Sequence, residues 1–265
     1  MIPARKRWGQ HFLIRSETAV RIVEAARIEP GETVIEVGPG DGALTRPLAD
    51  RAGRLLAIEI DPLRADALER ELAGRLRVRV RRGDVLERSF AAWLGEEGWA
   101  PPAVLVSNLP YNAATPILLS AIEEQGAISR AVATVQKEVA RRFAAVPGAD
   151  GYGYLSVRAA ASARVRVLFD LPPGAFRPPP KVTSSVLELV PRAEGIEAPS
   201  RGRALALASL AFRFRRKTLA NALSSAAERS RVERELAALG RDPRVRAEEL
   251  SLDDYVALAE RLHAP

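Results

Sequence analysis

Short apolar runs alternate with amphipathic stretches through the first two-thirds of the chain. Thr33–Val37 is an apolar run that ends in Gly38-Pro39-Gly40-Asp41-Gly42, the pattern of a buried strand feeding a tight glycine turn. Leu44–Asp50 then predicts a helix, Leu55–Ile60 a second strand and Pro62–Leu72 a helix. Val78–Val80 predicts a third strand that ends near Gly83-Asp84, and Val104–Ser107 a fourth that ends at Asn108-Leu109-Pro110-Tyr111. Thr115–Glu124 reads as a helix and Ala131–Val135 as a fifth strand. Strands that alternate with helices predict an α/β fold, a mostly parallel sheet with helices on both faces. Two later strands, Ala163–Phe169 and Ser185–Val190, flank a loop rich in proline (Pro172, Pro173, Pro178, Pro179, Pro180). No crossover helix separates them, so antiparallel pairing is expected. The prolines stiffen the loop and suit it to form one wall of a site.

The period then changes. Pro191–Gly202, with Pro191, Gly195, Pro199 and Gly202, reads as a linker. Arg203–Leu223, Arg231–Leu239 and Leu252–Leu262 read as helices, the last with Ser251 as N-cap. The expected organisation is a catalytic domain over 1–192 with a basic N-terminal arm, a linker over 193–202 and a small all-helical domain over 203–265. No internal repeat is visible.

Composition removes several classes. The chain has no cysteine, hence no disulfide scaffold, thiolate nucleophile or zinc-thiolate cluster. Its longest apolar runs are far too short to span a bilayer, and no apolar stretch follows the basic first residues as a secretory signal would require. A soluble cytoplasmic protein with no membrane and no metal is expected, and a monomer. The formal charge is +7, and 36 of the 40 cations are arginine. Residues 1–30 carry net +3, residues 201–265 net +4, and the span between them is neutral. Basic ends are an electrostatic footprint for a polyanion, although an arginine-rich composition alone raises the charge in the same way.

The glycine turn makes room for an adenosine-type cofactor, because glycine takes positive φ and lets the backbone approach a ligand. Glu59 ends the second strand 21 residues after Gly38, where a carboxylate can accept from both ribose hydroxyls. Gly38, Gly40 and Ala43 also fit the dinucleotide form G-x-G-x-x-G/A, so the turn alone is weak. Three details favour S-adenosylmethionine. Glu36 precedes the turn at E-x-G-x-G-x-G spacing, where an acid can hold the ammonium end of a methionine. No pyrophosphate needs the helix end. Asp84 follows the third strand, where a carboxylate can accept from an adenine amine. Asp84 is by itself also an ordinary turn residue.

Asn108-Leu109-Pro110-Tyr111 stands at the carboxyl end of a central strand, the ligand edge of an open α/β sheet. The exocyclic amine of adenine is a poor nucleophile, since its lone pair is delocalised into the ring. The Asn108 side-chain oxygen and the Leu109 carbonyl can accept its two protons and favour the tetrahedral geometry that attack on a sulfonium methyl needs. Pro110 fixes the turn, and Tyr111 offers a face for the base, a contact worth roughly 1–3 kcal/mol. The leaving group is a neutral thioether, so no general base is required, in keeping with a chain whose only histidines are His11 and His263.

At this point the chain resembles the ribosomal RNA adenine dimethyltransferases of the KsgA/Dim1 type. Arg7-Trp8-Gly9-Gln10-His11-Phe12-Leu13 is similar to the family's N-terminal GQNFL element. Glu36–Gly42 with Leu44-Thr45, Gly83-Asp84-Val85-Leu86 and Asn108–Tyr111 match its next three motifs. Gln136–Ala140, Leu171–Pro178 with Pro180-Lys181-Val182, and Arg215–Leu219 with Asn221-Ala222-Leu223 carry the match almost end to end. The resemblance implies a Rossmann-like, S-adenosylmethionine-dependent methyltransferase sheet, mostly parallel with an antiparallel last strand, and a small all-helical C-terminal domain. It implies that His11, Leu13, Gly38, Glu59, Asp84 and Asn108 line the S-adenosylmethionine site, and that Tyr111 and Phe176 sandwich a flipped adenine. From physics alone Phe176 is equally a core residue of the proline loop. The chain departs from the family at His11, where asparagine is usual.

The partner implied is small-subunit rRNA or its precursor particle, methylated on two adjacent adenines near the 3′ end. Arg5, Lys6 and Arg7, with Arg213, Arg215, Arg216 and Lys217, are the expected RNA contacts. A charge run such as Arg213–Lys217 is otherwise a solvated helix face, here with Phe212 and Phe214 supporting it from the core. Three rival readings are the related Erm class acting on large-subunit rRNA, a DNA adenine methyltransferase, and a non-catalytic RNA-binding assembly factor. The C-terminal run argues against the first and Leu109 in place of proline against the second. Glu36, Glu59, Asp84 and Asn108, all intact, argue against the third.

Overall fold

The computed structural model describes residues 10–192 and 196–263. Arg5, Lys6 and Arg7, expected to contact RNA, lie outside the described residues. The chain divides into two units.

The first unit opens with β1 (Phe12–Leu13) and α1 (Ser16–Ala25), followed by β2 (Thr33–Val37), α2 (Thr45–Arg51), β3 (Arg54–Glu59), α3 (Pro62–Leu72) and β4 (Val78–Arg82). It continues through α4 (Phe90–Glu96), β5 (Ala103–Asn108), α5 (Ala114–Glu123) and β6 (Ile128–Gln136), which leads into α6 (Lys137–Ala144). After α7 (Tyr154–Ser162) come β7 (Ala163–Leu171), β8 (Phe176–Arg177) and β9 (Ser184–Pro191). Seven strands form one sheet in the order β4-β3-β2-β5-β6-β9-β7. The pairs among β2 to β6 are parallel, and β9 runs antiparallel to β6. The two strands that flank the proline loop are neighbours, as expected.

Residue chemistry explains these elements. Val34, Leu55, Val104, Val106, Val132 and Val186 are buried in one core with Ile22, Leu48 and Leu68 of the covering helices. Asp61 accepts from the Leu63 amide and caps α3, whose first residue is Pro62, where a missing N–H costs nothing. The strand order reverses beside β2, with β3 on one side and β5 on the other. Their register sets Val34 opposite Val104, so the glycine turn after β2 and Asn108 of β5 emerge side by side at the switch point.

A second, two-stranded sheet pairs β1 with β8, Phe12 opposite Arg177 and Leu13 opposite Phe176. The sequence pattern does not predict it, because two-residue strands carry no periodicity.

The second unit contains α7 together with α8 (Ala198–Phe212), α9 (Leu219–Ala222), α10 (Arg229–Ala238) and α11 (Leu252–His263). It takes in residues 141–164, which the sequence assigns to the first domain, because α7 packs on α8 and α11. Tyr152 and Tyr255 are buried in its core and donate to the carbonyls of Leu250 and Ala247, each at 2.8 Å.

Two sequence expectations are corrected here. The linker is shorter, since α8 begins at Ala198, with Pro199 in its first turn and Gly202 inside it. The single helix expected over Arg203–Leu223 is broken, and Arg213–Lys217 forms a turn between α8 and α9. That run lacks an apolar stripe and would set Arg213 and Lys217 as like charges at i,i+4. Phe212 packs on the buried tyrosines as expected, but Phe214 is 43% exposed, with the Lys217 ammonium 4.9 Å from its ring centre.

Candidate active site

A cavity of about 170 Å³ opens at the carboxyl ends of the central strands. His11 and Phe12 line it from the N-terminal segment, Val37 and Gly38 from β2, and Ile58, Glu59 and Ile60 from β3. Gly83, Asp84 and Val85 follow from the end of β4, and Asn108, Leu109 and Pro110 from β5. His11, Gly38, Glu59, Asp84 and Asn108, five of the six residues expected to hold the cofactor, are therefore together.

The glycine turn is required by geometry at two positions. Gly38 has φ +67° and its amide donates to the Ile58 carbonyl at 2.8 Å. Gly40 has φ +59°, and a β-carbon there would stand 2.6 Å from the Phe12 ring. The Arg64 guanidinium lies 4.1 Å from the centre of that ring and pairs with Asp41 of the turn. Phe12 is thus clamped between the turn and a buried cation.

Glu59 braces the turn from below. Its two carboxylate oxygens accept from the amides of Gly40 and Asp61, each at 2.9 Å. Burial raises its pKa, while those two amides and Arg64 pull it back. A carboxylate has about four lone-pair sites, so each oxygen can still accept from a ligand hydroxyl. Asp84 is the expected turn residue, one oxygen accepting from the Leu86 amide at 3.0 Å, and it also lines the cavity.

Glu36 is not among the residues that line the cavity. It is buried, its Oε2 has no hydrogen bond, and burial pushes its carboxyl up to about 8. The neighbouring Thr45 hydroxyl opposes that rise and the charge of Glu59 adds to it.

The Asn108 amide is oriented by the backbone. Its Nδ2 donates to the His11 carbonyl at 2.8 Å, which leaves Oδ1 buried with no partner. The Leu109 amide donates to the Thr134 carbonyl at 3.2 Å and holds the turn on the sheet. Tyr111 hydrogen bonds through its hydroxyl to Ser184, and burial raises its pKa. Its ring is stacked on His11, with centroids 5.0 Å apart. His11 Nδ1 is 2.7 Å from the Pro178 carbonyl, which only accepts, so Nδ1 carries the proton.

Leu13 and Phe176 are placed elsewhere. They face each other across the β1–β8 pair, 7% and 2% exposed, and belong to the core. Neither they nor Tyr111 line the cavity. Of the C-terminal run, Arg215 donates to Glu248 at 3.0 Å and to the Tyr152 carbonyl at 3.3 Å. Arg213 and Arg216 are exposed. Sequence reasoning missed Phe12 as a cavity residue; its signal was an aromatic beside a residue already assigned there.

The family model described as ribosomal RNA adenine dimethylase matches residues 1–264. The chain belongs to the ribosomal RNA adenine dimethylase family. A relative of this dimethylase named ribosomal RNA small subunit methyltransferase A, from Aromatoleum aromaticum, is 41% identical over 98% of this chain and 95% of its own length. One of the same name from Rubrobacter xylanophilus is 43% identical over 97% and 95%. Among solved structures, the 23S rRNA methyltransferase ErmE superposes with a TM-score of 0.75 at 29% identity, over 96% of this dimethylase and 100% of ErmE. A dimethyladenosine transferase from Plasmodium falciparum shares the fold, with a TM-score of 0.74 at 22% identity over 94% and 96%. Among the described residues, no helix of the dimethylase is long and apolar enough to cross a membrane.

Proposed function

We propose that this dimethylase uses S-adenosylmethionine to methylate the exocyclic amines of two adjacent adenines in a hairpin near the 3′ end of small-subunit rRNA, in the cytoplasm, during ribosome biogenesis. The small-subunit assignment is supported by relatives of that name at about 40% identity over nearly the whole chain. The observation that carries the chemistry is Asn108, which lines the cavity and whose Oδ1 is buried and unpartnered.

The residues present fit the cofactor. Gly38 leaves open space that a side chain would fill, Glu59 has acceptor capacity for ribose hydroxyls, and Asp84 keeps one oxygen for an adenine amine. His11, Gly38, Glu59, Asp84 and Asn108 would hold it, with Leu13 supporting from the core. When bound, S-adenosylmethionine supplies a methyl group already activated as a sulfonium.

The chain supplies position. Asn108 Oδ1 accepts one amine hydrogen of the target adenine and the Leu109 carbonyl the other, which localises the nitrogen lone pair toward the methyl. Pro110 holds both acceptors, and the amine proton leaves to water after attack. Alignment of this kind contributes roughly 7–11 kcal/mol to a reaction between two bound partners. Tyr111 stacks the flipped base. For Phe176 to stack its other face, the β1–β8 edge has to open, since the ring is 2% exposed. Arg213, Arg215, Arg216 and Lys217, with Arg5, Lys6 and Arg7, contact RNA phosphates.

Incubation with labelled S-adenosylmethionine and separated ribosomal subunits tests the reading. Label is expected in the small-subunit particle. Label in large-subunit RNA alone, the specificity named for ErmE, overturns the substrate assignment. Calorimetry that shows no S-adenosylmethionine binding replaces the enzyme with a non-catalytic RNA-binding factor.

A further inference from the structure

The cations of the first unit divide by what they touch. At the β4 end of the sheet most arginines are neutralised: Arg79 and Arg81 pair with Glu97, Arg82 with Asp66 and Arg88 with Glu96, while Arg77 just before the strand is exposed. At the other end, Arg166 pairs with Glu188 and Lys137 with Asp170. The proline loop between β7 and β9 differs in holding two unpaired cations close together on one stiff segment. Its segment Arg177-Pro178-Pro179-Pro180-Lys181 carries two exposed cations, and neither has an acid or carbonyl partner among the described residues.

The backbone that carries them is held firmly. Arg177 pairs with Phe12 across the two-stranded sheet, and Phe12 lines the cavity. The Pro178 carbonyl accepts from His11, which lines the cavity and stacks on Tyr111. Pro180 is buried, the Thr183 carbonyl accepts from the Lys137 amide at 3.0 Å, and Ser184 bonds the Tyr111 hydroxyl. Three consecutive prolines fix φ between the two charges. Arg177 and Lys181 are thus uncommitted cations on a stiff segment tied to the residues that surround Asn108.

We propose that Arg177 and Lys181 form a phosphate-binding rim that grips the sugar–phosphate backbone of the RNA strand beside the target adenine. This rests on the reading of the chain as an RNA adenine methylase. A base must leave its stack to be methylated, and the strand on either side must be held while it does. A chain of four residues spans at most about 14 Å, which keeps the two cations on one short stretch of a single strand. The planar guanidinium takes a phosphate in two parallel hydrogen bonds, while the ammonium acts as a point charge. Unpaired cations need not break an ion pair to bind phosphate in this way, unlike the paired ones at the β4 edge.

The test uses the full chain, a small-subunit 3′-end hairpin RNA and a titration of KCl. Arg177→Ala/Lys181→Ala is expected to weaken RNA binding several-fold. It is also expected to lower the slope of log affinity against log salt by about 0.7–0.9 for each phosphate that is no longer neutralised. Cofactor affinity by calorimetry stays at the wild-type value, and Arg82→Ala, which removes a paired arginine, leaves affinity and slope unchanged. Lys181→Ala alone removes a side chain with no partner and is expected to give half the change in slope. An unchanged affinity and slope in the double variant overturns the rim, and so does an equal loss from Arg82→Ala. If the wild type methylates only large-subunit RNA, the substrate assignment fails separately. The same comparison is then made on that RNA, where an unchanged slope still overturns the rim.

Discussion

The imidazole of His11 stacks on the phenol ring of Tyr111, with ring centroids 5.0 Å apart and planes inclined by 30°. His11 also bonds the Pro178 carbonyl and offers its own carbonyl to Asn108. One residue thereby joins the N-terminal strand, the proline loop and the end of β5. An incoming adenine must take the other face of Tyr111 or displace the imidazole. Tyr111→Ala is expected to lower kcat/KM for RNA by roughly one to two orders of magnitude, the value of a stacked base. Tyr111→Phe keeps the face and loses only the bond to Ser184, so it retains most activity. Equal loss in both variants would place the role of Tyr111 in its hydroxyl.

Asn108 is held by its amide hydrogen, which leaves Oδ1 without a partner, the atom that the proposed function gives to the substrate amine. Asn108→Ala is expected to lower single-turnover methyl transfer by at least roughly two orders of magnitude, as for loss of a preorganised polar group at a reacting centre. RNA affinity measured by filter binding stays near wild type. An Asn108→Ala enzyme with wild-type turnover would remove Oδ1 from the chemistry.

Glu36 links folding stability to pH. Its carboxyl is raised by burial from 4.5 to about 8. The unfolded chain releases that proton near the ordinary value, so between those limits the folded state binds more protons and stability falls as pH rises. Glu36→Gln removes this contribution. Without added cofactor, the variant's Tm is expected to gain on the wild type as pH rises through that window. Parallel Tm curves would contradict the buried, neutral acid.

Gly40 combines a left-handed backbone with the Phe12 ring at the position of a β-carbon. Gly40→Ala is expected to cost roughly 1–2 kcal/mol from the backbone alone and to push Phe12 off the turn. Calorimetry then reads a weaker S-adenosylmethionine affinity together with a lower Tm. Wild-type affinity in the variant would show that Phe12 has room to move.

The parts of the site that sequence reveals are those encoded locally. The glycine turn after β2 and Asn108–Tyr111 after β5 are short motifs at strand ends, and the alternation of strands and helices puts both at one sheet edge. What it conceals depends on partners remote in the chain. The β1–β8 pair joins segments more than 160 residues apart and turns Leu13 and Phe176 into the core. Neither residue's hydropathy distinguishes that from a place on the cavity wall. The break at Arg213–Lys217 was legible in principle, since four cations in five residues, with Arg213 and Lys217 at i,i+4, make a poor helix face. The grouping of residues 141–164 with the C-terminal helices follows from packing of α7 on α8, which no local pattern announces.

In the proposed function, a site built around Asn108 methylates two adjacent adenines. Mapping the modified bases after incubation of small-subunit particles with the protein and S-adenosylmethionine tests it most directly. N6-methylated adenines are expected at two neighbouring positions in a hairpin near the 3′ end, and none with the Asn108→Ala variant. Methylation confined to large-subunit RNA, or equal methylation by that variant, would contradict it.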